Sequence, residues 1–321
     1  MQRKQFIATL AALAATGALP GAWAQAGANL KMLIPANPGG GWDLTGRSLG
    51  KALLDAKQAA TVTYENKGGA AGALGLAPFL ATSKGDGAQM MVMGAVMLGG
   101  LITSRSPLNL MQATPLARLT SEYNVFVLPA KSPLKSMQDV VAQLKRDPGS
   151  VKWGGGSRGS TEHIAAAMLA RAVGADPSKI NYVAFRGGGE AVAAILGGNV
   201  TVGGSGLSEF AEYIAAGKMK PIAVTSDKRL PGAPDVPTLK ELGIDVEIGN
   251  WRGVFGAPGI TAAQRKALID AITVTARSPS WQEALQKNQW SPALLTGDAF
   301  TEFVDREFAS LRAIMVKSGM V

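Results

Sequence analysis

Leu30-Lys31-Met32-Leu33-Ile34-Pro35-Ala36-Asn37-Pro38-Gly39-Gly40-Gly41-Trp42-Asp43-Leu44 reads as a strand, a glycine-rich turn and the start of a helix. The apolar run Leu30–Pro35 is strand-like, and a helical pattern covers Asp43–Ala56. The same design returns at Gly154-Gly155-Gly156-Ser157-Arg158-Gly159-Ser160-Thr161. That run follows Val151-Lys152-Trp153 and precedes the helical stretch Ile164–Ala172. A glycine-rich strand-to-helix turn leaves backbone N–H groups free at a helix N-terminus, where the helix dipole also favours an anion. Two such cradles in one chain suggest two jaws closing on one anionic ligand.

Working outward, short apolar runs alternate with helical segments. Thr61–Glu65 and Gln89–Gly94 read as strands, with a helix over Ala70–Ala81 between them. This βαβ alternation predicts an α/β fold with a parallel sheet covered on both faces. A strand at Asn124–Leu128 is followed by Pro129 and Pro133, and a second alternating set begins with a helix at Met137–Arg146. Strands at Val151–Trp153, Ile180–Phe185, Val200–Val202 and Pro221–Val224 follow, with helices between them. An extended run at Asp245–Phe255 leads to helices at Ala262–Arg277, Ser280–Lys287 and Asp298–Ser318. No linker separates the halves. The chain is expected to cross between lobes as extended strands, giving a discontinuous lobe of residues 25–124 plus 248–321 and a second lobe of 125–247. Ligands of such sheets bind beyond the carboxyl ends of strands, where both glycine loops fall.

The first residues read as an export signal: Arg3 and Lys4, then an apolar stretch from Phe6 to Leu19 and a small-x-small site at Ala22-Trp23-Ala24. Residues 1–24 are therefore expected to be removed before Gln25, placing the protein in a periplasm. Sec and twin-arginine export both stay open. The chain has no cysteine and a single histidine, His163, which argues against disulfides, thiolate metal sites and zinc clusters. Without Arg3 and Lys4, 30 basic residues remain against 23 acidic ones, a surplus that draws anions. The basic residues are scattered and aromatics are few, so nucleic acid is not expected as a partner. No cofactor, metal or catalytic residue is expected.

Each loop also has a structural reading. Asp43 fits a helix cap, and its charge suits it poorly to face a carboxylate. Trp42 is read both as a ligand contact and as core packing. Gly155-Gly156-Ser157-Arg158-Gly159 matches the G-x-S-x-G nucleophile elbow, which makes an exported serine hydrolase using Ser157 the alternative. That reading lacks its histidine, because His163 lies on the helix this turn begins. Phe185-Arg186-Gly187-Gly188-Gly189-Glu190 is a third strand–glycine–helix junction, with Arg186 placed to clamp a carboxylate or to pair with Glu190. Gly203-Gly204-Ser205-Gly206 and Glu65-Asn66-Lys67-Gly68-Gly69-Ala70 are further junctions of this kind. Neither a Walker lysine nor a ribose-binding acid accompanies any of them.

Taken in order, these segments resemble the solute receptors of tripartite tricarboxylate transporters, the Bug family of periplasmic binding proteins. The carriers are Pro38–Asp43 with Arg47, Glu65-Asn66 with Gly69-Ala70 and Gly72, Gly159-Ser160 with His163, and Tyr182–Gly187. They continue through Leu196-Gly197-Gly198, Ala223-Val224-Thr225 with Arg229, Pro234–Thr238 with Glu241, Trp251 with Gly253, and Ala257-Pro258. The resemblance implies a two-lobed type II periplasmic-binding fold with a hinge and a central cleft. It also implies a monomeric, non-enzymatic receptor that passes a small carboxylate to membrane permease subunits; a sensor kinase as recipient is left open. Gly40–Asp43 and Ser157–Thr161 would grip the carboxylate. The full ligand-binding set is Gly40, Gly41, Trp42, Asp43, Ser157, Arg158, Gly159, Ser160, Thr161, Arg186 and Ser205. Gly68 and Ala71 depart from the family's frequent Pro and Gly. Trp42 favours the tricarboxylate subgroup, hence a tri- or dicarboxylate such as citrate.

Overall fold

The computed structural model describes residues 27–186 and 188–321. The expected leader and its cut before Gln25 lie outside the described residues, as does Gly187. The chain opens with β1 (Asn29–Ile34), α1 (Gly41–Asp55), β2 (Thr61–Asn66), α2 (Ala73–Thr82), β3 (Gln89–Gly94) and α3 (Ala95–Thr103). β1 lies between β2 and β3, parallel to both. The helix expected at Ala70–Ala81 starts later, because Ala70 and Ala71 hold left-handed φ values of 47° and 54° in a tight turn before it. α3 was not anticipated: it has no polar face to set a period, and nearly all of it is buried.

β4 (Thr114–Pro129) is 16 residues long, where only its second half was expected. Thr114–Tyr123 pairs antiparallel with β9 (Gly249–Gly256), and β10 (Ser291–Thr296) takes the other edge of this half. From Asn124 onward β4 pairs antiparallel with β7 (Val202–Gly206) and β8 (Met219–Val224). β5 (Lys152–Gly155) lies between β7 and β6 (Asn181–Ala184), parallel to both. The sheet order is β2-β1-β3-β9-β4-β7-β5-β6, with β8 and β10 also on β4. The expected parallel sheet is thus mixed. β4 and β9 run against their neighbours because they carry the chain from one parallel set to the other. The fold is the two-lobed α/β arrangement of type II periplasmic binding proteins.

The helices follow from capping and one-sided apolar patterns. α4 (Met137–Arg146) begins at Ser136, which forms a capping box with Asp139. α5 (Thr161–Ala172), α6 (Gly188–Leu196) and α7 (Leu207–Ala215) each follow a strand of the second set. α8 (Ala262–Ala276) and α9 (Pro279–Lys287) precede β10, and α10 (Gly297–Lys317) ends the chain. α10 buries Phe300, Val304, Leu311 and Met315, one helical face. Phe300 and Phe303 receive Trp251 of β9 edge-on, at 5.8 and 5.3 Å between ring centres. Phe126 of β4 meets Trp153 of β5 edge-on at 5.2 Å.

The two halves touch through backbone. Gly159, in the loop before α5, holds φ +83° with its Cα against the carbonyl of Gly99 in α3. A side chain there would be strained in φ and would overlap that carbonyl. Gly159→Ala should therefore lower stability by at least about 2 kcal/mol. Equilibrium urea unfolding, with the midpoint compared at unchanged slope, measures this.

Candidate functional site

Between the two halves lies a cavity of about 480 Å³, in the range of small-molecule sites. From the first half it is walled by Gly40, Gly41 and Trp42 at the start of α1, by Gly69–Gly72 before α2, and by Val96, Gly100 and Thr103 of α3. From the second half come Gly156, Ser157 and Arg158 of the second glycine loop, Phe185 and Arg186 after β6, Ser205 near the end of β7 and Glu209 in the first turn of α7. Of the residues expected at a ligand, Gly40, Gly41, Trp42, Ser157, Arg158, Arg186 and Ser205 thus share one cavity. Trp42 is buried in the core and also lines the cavity.

Asp43, Gly159, Ser160 and Thr161 do not line the cavity. Asp43 is not the helix cap either; Gly40 holds that position. Burial works against the Asp43 charge, but the Arg47 guanidinium at 2.9 Å, the Gly39 N–H at 3.0 Å and the Asn66 amide at 2.9 Å hold its carboxyl below the ordinary range. Its role is to tie the first glycine loop to α1 and β2. Ser160 and Thr161 are fully buried behind the wall. The Ser160 hydroxyl lies 3.1 Å from that of Tyr182, and Thr161 donates to Glu162 at 3.2 Å. These hydroxyls brace the second loop from within.

The lone imidazole is likewise committed. His163 Nδ1 accepts the Gly159 N–H at 3.0 Å, and the ring stacks on Tyr182 at 4.1 Å between centres. The hydrolase alternative would need this ring at Ser157. Burial first, then Arg158, depresses the His163 pKa to about 4.

Sequence reasoning missed the floor of the cavity. β4 and β9 place Thr120 opposite Arg252 and Glu122 opposite Asn250, all on one face by the two-residue alternation of strands. Trp251, between them, faces α10. All four polar residues are buried. Arg252 Nη2 pairs with Glu122, whose other oxygen accepts the Ser208 hydroxyl at 3.0 Å. Arg252 Nη1, Asn250 Oδ1 and Thr120 Oγ1 have no partner among the described residues, and buried polar atoms without partners are rare in native proteins. Above this floor the carboxylate of Glu209 accepts the Gly41 N–H at 2.7 Å and the Ser205 hydroxyl. Burial, and next Glu122, raise the Glu209 pKa. Glu162 accepts the Gly156 N–H at 2.5 Å, and burial raises its pKa too. The cavity therefore combines backbone cradles with three arginines, and its acids already hold partners.

The turn at Ala70–Ala71 is held in the left-handed region at the cavity edge, a conformation that costs a non-glycine residue about 1–2 kcal/mol. α3 permits it by offering Gly100, whose missing side chain leaves room for the Ala71 methyl. Gly100→Ala should cost about 1–3 kcal/mol by overlap with that methyl. Ala71→Gly should restore most of the loss, since the Ala71 Cα stands 3.6 Å away; a double-mutant cycle by urea unfolding reads this coupling. A second expectation concerns pH. A folded-state pKa near 4 against an ordinary 6.5 for a free imidazole means neutral His163 stabilises the fold above pH 6.5. That contribution, about 3 kcal/mol, is lost as pH falls from 6.5 through 4. NMR titration of the single imidazole should give a midpoint near 4, and His163→Gln should flatten the stability curve over that interval.

The comparisons with known proteins agree with this geometry. The UPF0065 protein of the gbd 5′ region of Cupriavidus necator is 28% identical over 334 residues, spanning 100% of this chain and 99% of that one. The crystal structure of a TctC solute-binding protein from Polaromonas, determined without ligand, shares 28% identity with a TM-score of 0.66, over 90% of this chain and 98% of its own. At 20% identity, MatC of Rhodopseudomonas palustris with bound malate (TM-score 0.77, 89% and 98% coverage) and an R. palustris protein with adipate (0.79, 91% and 97%) share the fold. The family model for the tripartite tricarboxylate transporter family receptor matches residues 48–320, and the chain belongs to that family of solute-binding receptors.

Proposed function

We propose that the chain is a periplasmic receptor that captures a small di- or tricarboxylate, citrate-like in kind, and delivers it to the permease subunits of a tripartite transporter. The observation that carries this reading is a single cavity walled from both halves by glycine-loop backbone and by Arg158, Arg186 and Arg252. Backbone donors and guanidinium groups suit carboxylate oxygens. MatC was solved with malate and another family-fold protein with adipate, ligands of the same class. The reading keeps the lobes at residues 25–124 plus 248–321 and 125–247; the change of partners of β4 at Asn124 and the start of β9 at Gly249 support it. Closure would favour the ligand-bound state through contacts made from both lobes at once.

A thermal-shift panel tests the ligand class. A di- or tricarboxylate at about 100 times its dissociation constant should add roughly 2.7 kcal/mol of stability, and neutral sugars should add nothing. Stabilisation by sugars or polyamines without any carboxylate response would overturn the reading. Arg186 is exposed at the cavity rim, so solvent screens its charge. Arg186→Ala should weaken carboxylate binding about tenfold by calorimetry, more for a tricarboxylate than a dicarboxylate.

A further inference from the structure

The N-terminus of α1 is already occupied. Glu209, in the first turn of α7, reaches from the second half of the molecule to accept the Gly41 N–H at 2.7 Å. Its other oxygen takes the Ser205 hydroxyl. A side-chain carboxylate thus sits on the backbone donor that the first glycine loop would offer to a ligand carboxylate. Immediately beside this contact stands Arg252. A side chain on Gly41 would overlap its guanidinium, so the Gly41 backbone and Arg252 share one small space. Arg252 is 3% exposed and lines the cavity, yet its Nη1 has no partner among the described residues, and neither does Asn250 Oδ1 next to it.

From this arrangement we infer that Glu209 is an internal stand-in for the ligand, and that binding is an exchange of carboxylates. The incoming carboxylate takes the Gly41 N–H from Glu209 beside the Arg252 guanidinium. Two observations favour exchange over simple addition. The Gly41 N–H is a single donor and is taken. Arg252 Nη2, the guanidinium nitrogen that a side chain on Gly41 would meet first, is itself committed to Glu122. This inference rests on the carboxylate reading above and adds the residues that set its affinity. Glu209 lowers the apparent affinity by the fraction of molecules in which it holds the cradle. It also keeps the empty cleft from exposing an unpaired buried donor.

The test has one arm that needs no ligand and one that does. Protein freed of small molecules by unfolding and refolding is labelled with ¹⁵N, and the exchange rate of the Gly41 amide is measured. Glu209→Ala should accelerate that exchange at least about tenfold, as loss of a hydrogen bond to a charged group implies, with Glu209→Gln in between. An unchanged rate overturns the contact. Malate and citrate are then titrated calorimetrically into the parent, Glu209→Ala, Glu209→Gln and Arg252→Lys. Exchange predicts that Glu209→Ala binds on the order of tenfold more tightly than the parent, with the glutamine variant between the two. Equal or weaker binding by Glu209→Ala overturns the inference and makes Glu209 a ligand-holding residue instead. Arg252→Lys keeps a cation beside Glu122 but lacks the second donor, and should bind about tenfold more weakly; parent-like binding removes Arg252 from the site. Should neither acid bind any variant, the carboxylate reading itself fails, while the amide arm still decides whether Glu209 holds Gly41.

Discussion

The hydrogen-bond ladder of β4 is the constraint on which the rest of the molecule depends. A 16-residue strand buried along most of its length must pair its backbone groups on both edges. It does so with β9 and β10 as far as Tyr123, and with β7 and β8 from Asn124. Because one continuous strand serves both sets, the strand ends that carry the glycine loops are brought to face each other. Near the change of partners, Thr225 ties the two crossings together. Its hydroxyl accepts the Asn124 N–H at 3.0 Å and donates to the Ile248 carbonyl at 2.8 Å. Two strands and a few side-chain bonds thus form the joint between the halves, beside the cleft.

Glycine gives the cleft its second constraint. Where α3 meets the second loop, Gly99 and Gly159 bring backbone against backbone, and Gly100 makes room for the Ala71 methyl. The loops can therefore approach closely enough for main-chain groups, rather than long side chains, to form the wall. Main-chain donors are fixed by the strands and helices behind them, so they lose little freedom when a ligand arrives. Asp43, Ser160, Thr161 and His163 belong to that support: Asp43 and His163 hold loop N–H groups, and Ser160 and Thr161 bond Tyr182 and Glu162 behind the second loop.

The glycine loops and their flanking elements were legible because turn chemistry is local. Asn124–Leu128 was legible as a strand because Val125, Phe126, Val127 and Leu128 are buried on both faces. The first half of β4 was not legible, and the reason is functional. Near the crossing it carries Thr120 and Glu122, buried polar residues opposite Arg252 and Asn250 of the cavity wall, so the apolar alternation that marks a strand breaks where the site begins. Arg252 escaped notice for the same reason: it lies between Trp251 and Gly253 on a strand read only as extended. β10 was lost to Pro292 and to exposure at the sheet edge. Sequence pattern separated loops from elements well, but it could not tell which face of a strand meets a cavity.

The buried Glu122–Arg252 pair is best understood from this floor. An ion pair in an interior rarely stabilises more than well-packed apolar residues would, although removing one partner typically costs about 3–5 kcal/mol. Its value here is positional. Glu122 holds one guanidinium nitrogen of Arg252, which lines the cavity, and Ser208 at the start of α7 shares the same carboxylate. A receptor of this kind must be stable both empty and filled, yet a donor left unpaired in an interior costs about 1–3 kcal/mol. The molecule meets that requirement at Gly41, where it supplies a carboxylate of its own. The affinity for any anion is then set by what the ligand gains over Glu209 and water, so changes in α7, away from both glycine loops, reach the binding constant directly.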